Sequence, residues 1–421
     1  MHNQMSLLNF YKVLSNVATK LVGAFIPVIV LQATGSVVLA CVLVAAEYLL
    51  KLAIVVVFRK FFETKPQIAL IIRIVPVVLY SLSIFLIDTN MWVGIIGVIV
   101  FYGMGEAFKY LPMEYIYNYA SANEDGGNSM GLTRLLEQAG VLIAVIVGGF
   151  IMDINRNIIL TISIVLYLIS VIPLVVYYVK SKNEKGFNKD SVSNAAIEFS
   201  KEPELNKLQE KQVHKMLSGY WFVYFIFCFM DVVGIAYIIH LYLLFSSYGI
   251  TGTITAVYNA MYGVGCYVFG LIDNKKETTP LLVTSCVICM LGVGSLIFVT
   301  NTPLLFVINI LVGLAYGCVS MFCLRRMIPK SRIMGCANRA LFNREVAANI
   351  GVIAPMMLGV MGSMIPVIAA VAAAIGFSGY LIPANEERSR KILINYLQTH
   401  ENYMQEKAEK KRAIKKNRVC D

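Results

Sequence analysis

The sequence predicts an all-α polytopic membrane protein with twelve transmembrane helices. Its 421 residues are 58% hydrophobic and 14% charged, whereas a soluble domain is nearer half apolar and a quarter charged. The apolar residues form runs of about 20, the length that crosses roughly 30 Å of hydrocarbon. These runs do not alternate in polarity as the strands of a membrane barrel would. We therefore expect a protein of helical membrane spans that is not an enzyme.

Twelve apolar runs divide six and six around one long polar segment. Loops after even-numbered spans are rich in Lys and Arg, whereas loops after odd-numbered spans hold one basic residue, Arg156. By the positive-inside rule, both termini and the even loops are then cytoplasmic. The net charge of +11 thus reflects topology and not nucleic-acid binding. The predicted spans are 8–32, 36–58, 67–87, 91–117, 132–152, 157–179, 218–245, 250–272, 280–299, 303–325, 339–362 and 364–383.

The same division predicts the domain organisation. We expect an N-terminal six-helix half over 1–179, a cytoplasmic linker over 180–216, a C-terminal six-helix half over 217–384 and a basic cytoplasmic tail over 385–421. The linker is polar, and we expect it to be a flexible connector, with a regulatory docking segment as the alternative. The tail's basic end suits anionic lipid. We expect a monomer in a bacterial plasma membrane, with the lipid bilayer as a partner and no nucleic acid.

An internal repeat relates the two halves. Lys20-x-x-Gly23 in span 1 is echoed with the opposite charge by Asp231-x-x-Gly234 in span 7. A lone charge in hydrocarbon is costly and usually faces a protein interior or a wet cavity. We expect Lys20 and Asp231 to face each other across the halves, either as a permanent buried bridge or as part of a solute site. Asn16 lies one turn before Lys20 and would share that environment.

Twelve spans with a long middle loop and basic even loops resemble the major facilitator superfamily over nearly the whole chain. Gly140, Gly148 and Gly149 match part of the family's span-5 antiporter signature, although Ala144 and Val145 replace its Gly-Pro. The family's basic loop signature is reduced to FRKFFETKP after span 2 and to GLIDNKK after span 8. The resemblance implies that spans 1, 4, 7 and 10 line a central cavity, which would place Lys20, Glu106 and Asp231 there.

Span 4 carries a polar stripe that this cavity would use. Tyr102, Glu106 and Lys109 recur at helical spacing and therefore share one face. Glu106 lies about sixteen residues from the outer end of the span, or roughly 24 Å at 1.5 Å per residue. It is predicted to be either a proton or solute site or half of a local ion pair with Lys109.

Further charges are expected to be structural or to act as a gate. Glu47 and Lys51, four residues apart in span 2, have the spacing and order of a helical salt bridge. At the cytoplasmic ends of spans 5 and 11, the sequence predicts a gate of ion pairs between the halves. The predicted gate residues are Arg134, Glu137, Arg344 and Glu345.

The sequence therefore predicts a secondary transporter that moves a small or amphipathic solute by alternating access, coupled to protons and with a slight tilt toward export. No Gly-Lys dipeptide occurs, so this chain has no P-loop ATPase module. Cys286-x-x-Cys289 lies in an apolar run without a companion pair, so we expect no metal or cofactor. The alternatives are a membrane receptor or assembly protein on a transporter-like fold, and a lipid flippase.

Overall fold

The fold is a bundle of apolar helices, as the sequence predicts. The computed structural model describes the backbone of residues 2–120, 126–187, 207–272 and 278–417, and the side chains of 6–118, 131–180, 211–230, 232–272, 278–322 and 325–398. Within these residues, eleven helical segments are long and apolar enough to cross a membrane, and a shorter apolar helix, Thr279–Ser295, lies in the ninth position. The predicted all-helical polytopic fold is confirmed.

Eight spans are single helices. A short helix, Arg59–Thr64, lies between spans 2 and 3, and a 3-10 turn, Met357–Met361, extends span 11. The single-helix spans are span 2 (Val37–Val57), span 5 (Gly126–Ile154), span 6 (Arg156–Phe187), span 8 (Tyr248–Ile272), span 9 (Thr279–Ser295), span 10 (Thr302–Ile333), span 11 (Ala337–Met356) and span 12 (Ile365–Asn417).

Four spans are interrupted. Span 1 consists of His2–Gly23 and Ile26–Thr34, span 3 of Pro66–Ile72 and Ile74–Leu86, span 4 of Met91–Ala107 and Tyr110–Ala120, and span 7 of Lys207–Phe227 and Phe229–Phe245. Three of the breaks precede a proline, because Pro27, Pro76 and Pro112 lack the N–H that would bond the carbonyl four residues earlier. The break in span 4 divides the stripe that sequence spacing places on one continuous helix.

Glycines allow the spans to pack closely across the two halves of the chain. Span 8 runs along span 5, where a Cβ added to Gly252 would lie 2.6 Å from the carbonyl oxygen of Val145. Gly149 of span 5 in turn approaches the carbonyl of Tyr248. Within the N-terminal half, Gly148 packs on the backbone of Leu21 in span 1. The glycines of the span-5 signature therefore act here as helix-packing positions.

Two ends of the bundle are distinguished by their loops. We call the end with the even-numbered loops and the linker the basic end, and the opposite end the short-loop end. At the basic end, span 12 continues as one helix past the predicted boundary at 384. Its extension packs against the bundle, because Asn385 donates to the Gly219 carbonyl and Glu386 pairs with Lys330 at 3.3 Å.

Candidate functional site: a central cavity with unpaired charges

A cavity of about 280 Å³ lies in the middle of the bundle. Spans from both halves of the chain form its wall, which mixes charged, aromatic and apolar side chains. Its charged lining residues are Lys20, Glu47, Lys51, Glu114, Arg134, Glu137, Arg344 and Glu345. Its aromatic lining residues are Tyr48, Tyr102, Tyr110, Tyr224, Phe227, Tyr258, Tyr262 and Tyr316. Such a wall can hold a ligand that carries both charge and apolar surface.

Lys51 pairs with a different partner from the one expected. Its ammonium lies 2.7 Å from a carboxylate oxygen of Glu345 in span 11, and both side chains are buried. Glu47 is also buried, and its Oε1 has no hydrogen-bond partner among the described side chains. The predicted Glu47–Lys51 salt bridge is therefore replaced by a pair between the halves, because span 11 packs along span 2 and brings a closer carboxylate.

Lys20 and Asn16 both line the cavity from span 1. Among the described side chains, Lys20 makes no hydrogen bond or ion pair, and it is only partly buried. The charges of Glu47 and Glu106 lie within its electrostatic range. The amide of Asn16 donates to Glu137, while its Oδ1 has no partner. The backbone of Asp231 belongs to span 7, but its side chain lies outside the described residues.

Glu106 and Lys109 form a buried cluster that is not part of the cavity wall. The Glu106 carboxylate lies 3.7 Å from Lys109 and 3.4 Å from Arg73 of span 3. Arg73 is fully buried and also donates to the carbonyl of Gly105 and the hydroxyl of Tyr11. The arrangement matches the local-pair alternative for Glu106, with Arg73 as an additional partner. Tyr102, by contrast, does line the cavity.

The charged groups expected to form a gate lie together at the basic end of the cavity. Glu114 of span 4 connects them, because its Oε1 lies 3.5 Å from Arg134 and 3.5 Å from Arg344. Glu137 bonds to Arg134 at 3.1 Å and to Lys12 at 3.0 Å. Arg344 belongs to span 11, so Glu114 links the two halves. Two of the four predicted gate residues thus meet the other half directly: Arg344 through Glu114, and Glu345 through Lys51.

Two more contacts join the halves beyond this network at the basic end. Arg332 donates to the side-chain and main-chain oxygens of Asn118 at 2.8 and 2.9 Å. The Arg59 guanidinium lies 4.4 Å from the ring centre of Phe342. A cation over an aromatic face is attracted by the ring quadrupole. These contacts add to the links between the two halves at the basic end.

The short-loop end is also joined across the halves. Asp153, in the last turn of span 5, accepts hydrogen bonds at 2.8 Å from the Ser247 hydroxyl and from the backbone N–H groups of Tyr248 and Gly249. These groups begin span 8, where a carboxylate is favoured by the helix dipole. Gln32 of span 1 bonds to the hydroxyls of both Tyr242 and Tyr248. Contacts between the halves are therefore present on both sides of the cavity.

Three of these functional candidates were not identified from sequence. Arg73 and Glu114 are charged residues inside predicted spans, so the criterion that selected Lys20 would also have selected them. Asp153 carries no such signal, because it caps a helix of the other half, and only the packing of span 5 on span 8 creates that contact. A charged residue inside a predicted span is thus a useful criterion for finding functional candidates from sequence. Contacts between the halves can be identified only from the folded structure.

Comparisons with known proteins agree with this architecture. The profile described as "Major Facilitator Superfamily" matches residues 10–366. A comparison with curated proteins gives no significant match.

Two solved structures share the fold at low identity. The human organic anion transporter MFSD10 (TETRAN) has 9% identity and a TM-score of 0.57, with 89% of this chain and 98% of that chain covered. A structure concerning substrate recognition in proton-dependent oligopeptide transporters has 10% identity and a TM-score of 0.61, with 93% and 100% covered.

Proposed function

The chain belongs to the major facilitator superfamily, and from this premise we propose that it is a secondary transporter that moves a small charged or amphipathic solute by alternating access. The observation that carries the proposal is the central cavity. Its wall holds charged groups that have no partner among the described side chains, and contacts between the halves lie on either side of it. A cavity with contacts between the halves on both sides can release a solute to one side when one set of contacts breaks and the other holds.

The two sets of contacts are the candidates for the gates. Opening at the basic end would separate Lys51 from Glu345 and Glu114 from Arg344, while the bonds of Asp153 persist. Opening at the short-loop end would do the reverse. We propose that the units that move are the six-helix halves, 1–179 and 217–384, with 180–216 as the linker and 385–421 as a basic tail.

Lys20 and Asp231 are proposed to act together in this cycle. They would pair when the cavity is empty and be separated or bridged by an ionic solute, with Asp231 as a carrier of the coupling proton. A charge swap, Lys20→Asp with Asp231→Lys, tests the idea. Restored folding with lost transport would mean that the polarity matters for function, whereas full activity in the doubly neutral variant would exclude a functional role for the pair.

The membrane setting completes the proposal. The protein is a multi-pass membrane protein. We propose that it is a monomer in a bacterial plasma membrane, that the basic end and both termini face the cytoplasm, and that export is the favoured direction.

Solute-dependent proton flux in liposomes is the direct test. Purified protein would be reconstituted with a pH-sensitive dye inside the vesicles, and metabolites, drugs and lipids would be added one at a time. A control variant would carry Asn118→Cys and Arg332→Cys joined by a short bifunctional thiol reagent, because these positions connect the halves at the basic end. Flux that stops on cross-linking supports alternating access. No flux of any solute would contradict transport, and lipid scrambling alone would favour the flippase.

A further inference from the structure

Glu47 is a buried charge whose expected partner is engaged elsewhere. Its side chain is 5% exposed and lines the cavity, and no described residue forms a hydrogen bond with its Oε1. Lys51, one turn further along span 2, is bound to Glu345 of the other half at 2.7 Å. A buried carboxylate oxygen without a partner costs free energy. The bundle therefore maintains an acidic group in the cavity wall that its own described side chains leave unsatisfied.

Lys20 supplies the opposite charge in the same cavity. Lys20 lines the wall from span 1, and it forms no ion pair with any described side chain. Glu47 and Lys20 are within electrostatic range of each other. Glu106, which also lies within electrostatic range of Lys20, is bound to Arg73 and Lys109. Glu47 and Lys20 are thus an acidic and a basic side chain that line the same cavity without an ion pair among the described side chains.

The remaining wall limits the solute that could meet these two charges. Tyr316 of span 10 stacks with Tyr262 and Tyr258 of span 8, at ring-centre distances of 5.1 and 6.4 Å. All three rings line the cavity. Its volume of about 280 Å³ lies just below the range of about 300–1,000 Å³ that is usual for ligand pockets. The space suits a small molecule with an apolar or planar body.

We propose that Glu47 and Lys20 form a subsite for a small zwitterion, a proposal that rests on the transport function above. Glu47 accepts hydrogen bonds from the ammonium group of the solute, and Lys20 donates to its carboxylate. The tyrosines of spans 8 and 10 cover its apolar body. Two ion pairs of the wall, Lys51 with Glu345 and Arg344 with Glu114, form within the protein, whereas Glu47 and Lys20 have no ion pair among the described side chains.

Ligand-dependent melting of the full-length protein in detergent tests the subsite. The probes are the L-amino acids with uncharged side chains. Each is used as the free zwitterion, as the methyl ester and as the N-acetyl derivative. The ester keeps only the positive charge, and the N-acetyl form keeps only the negative one. In the wild-type protein, at least one zwitterion should stabilise the fold, and both of its derivatives should bind at least about tenfold more weakly, since each loses a charged hydrogen bond.

Two variants then assign the charges. Glu47→Gln should remove the preference for the zwitterion over the N-acetyl form, and Lys20→Gln should remove the preference over the ester. Glu63→Gln is the matched control, because Glu63 pairs with Arg59 outside the cavity. If a variant does not fold, the ranking of the three probe forms on the wild-type protein still tests whether the cavity binds a zwitterion.

The outcomes separate this subsite from the transport proposal. A wild-type protein that binds an ester or N-acetyl form as tightly as the zwitterion overturns the subsite, as do folded variants that keep the wild-type preference. If liposomes show flux of another solute class while no zwitterion binds, the subsite is wrong and the transporter stands. If a zwitterion binds with the expected charge dependence but does not move, the subsite stands and transport fails.

Discussion

The ion pair between Lys51 and Glu345 offers the sharpest test of how the cavity opens. The two side chains belong to spans 2 and 11, lie 2.7 Å apart, and have exposed fractions of 7% and 5%. Replacing Glu345 by Gln keeps the shape of the side chain and removes its charge. The Lys51 ammonium would then lie buried 4.5 Å from the ring centre of Tyr110 without its carboxylate.

The size of the effect follows from the burial of the pair. Removing one partner of a buried ion pair costs about 3–5 kcal/mol, because the remaining charge is uncompensated. Opening of the basic end would hydrate Lys51 and relieve that cost, so the closed state alone is destabilised. If the whole cost acts on the equilibrium between the closed and open states of the basic end, the ratio of open to closed protein rises roughly a hundredfold to a few thousandfold.

Cysteine accessibility measures that shift. Ala348 lines the cavity from span 11, so Ala348→Cys would report on access from the basic end, in a background with Cys228→Ser because Cys228 also lines it. Labelling by a membrane-impermeant maleimide in inside-out vesicles should be at least tenfold faster with Glu345→Gln. Exchange of the two charges, Lys51→Glu with Glu345→Lys, should restore slow labelling.

A surface ion pair provides the control for charge removal as such. Glu387 lies 2.6 Å from Lys391, and both side chains are largely exposed, so Glu387→Gln should leave labelling unchanged, since exposed pairs contribute little. Equal labelling rates in Glu345→Gln and the parent, with both proteins folded, would refute the proposal that this pair holds the basic end closed. Lys51→Met should behave like Glu345→Gln if the pair is the cause.

Three further changes probe the gates and the helix packing. Arg344→Ala should also favour opening at the basic end, because Glu114 loses its partner in the other half; unchanged labelling of Ala348→Cys would contradict this. Asp153→Asn should open the short-loop end, since it weakens three hydrogen bonds to the start of span 8, and faster labelling from the outside of cells would show it. Gly317→Ala should lower the melting temperature by several degrees, because its Cβ would meet the backbone of span 8. Gly234→Ala is the control, since its Cβ meets no described atom within 4 Å, and equal melting of the two variants would refute the packing argument.

Most of the helix interruptions could be predicted from local sequence. The interruptions of spans 1, 3 and 4 precede Pro27, Pro76 and Pro112, so each follows from a missing N–H that is visible in the sequence. The interruption of span 7 at Cys228 has no proline beside it. The stripe through Tyr102, Glu106 and Lys109 was predicted for an unbroken helix, and Pro112 already indicated that span 4 was not one.

The partners of charged residues were the part that sequence could not supply. Glu47 and Lys51 have the spacing of a helical salt bridge, yet Lys51 binds Glu345, almost 300 positions away in the chain. In the same way, Arg73 reaches Glu106 and Glu114 reaches Arg344. Spacing along a helix defines which side chains share a face, but the neighbouring helix decides which opposite charge lies closest.

The sequence by itself determined the membrane class, the number and order of the spans and the family, because the length of an apolar run and the placement of Lys and Arg are local properties. It also identified Lys20 as a cavity residue, since a charge in a span must avoid lipid. Only the tertiary structure decided that Glu47 lines the cavity without a partner in the described part of the chain and that Asp153 and Glu114 join the halves. These outcomes depend on contacts between spans that are distant in sequence. Glycines such as Gly149 and Gly252 allow those spans to pack closely.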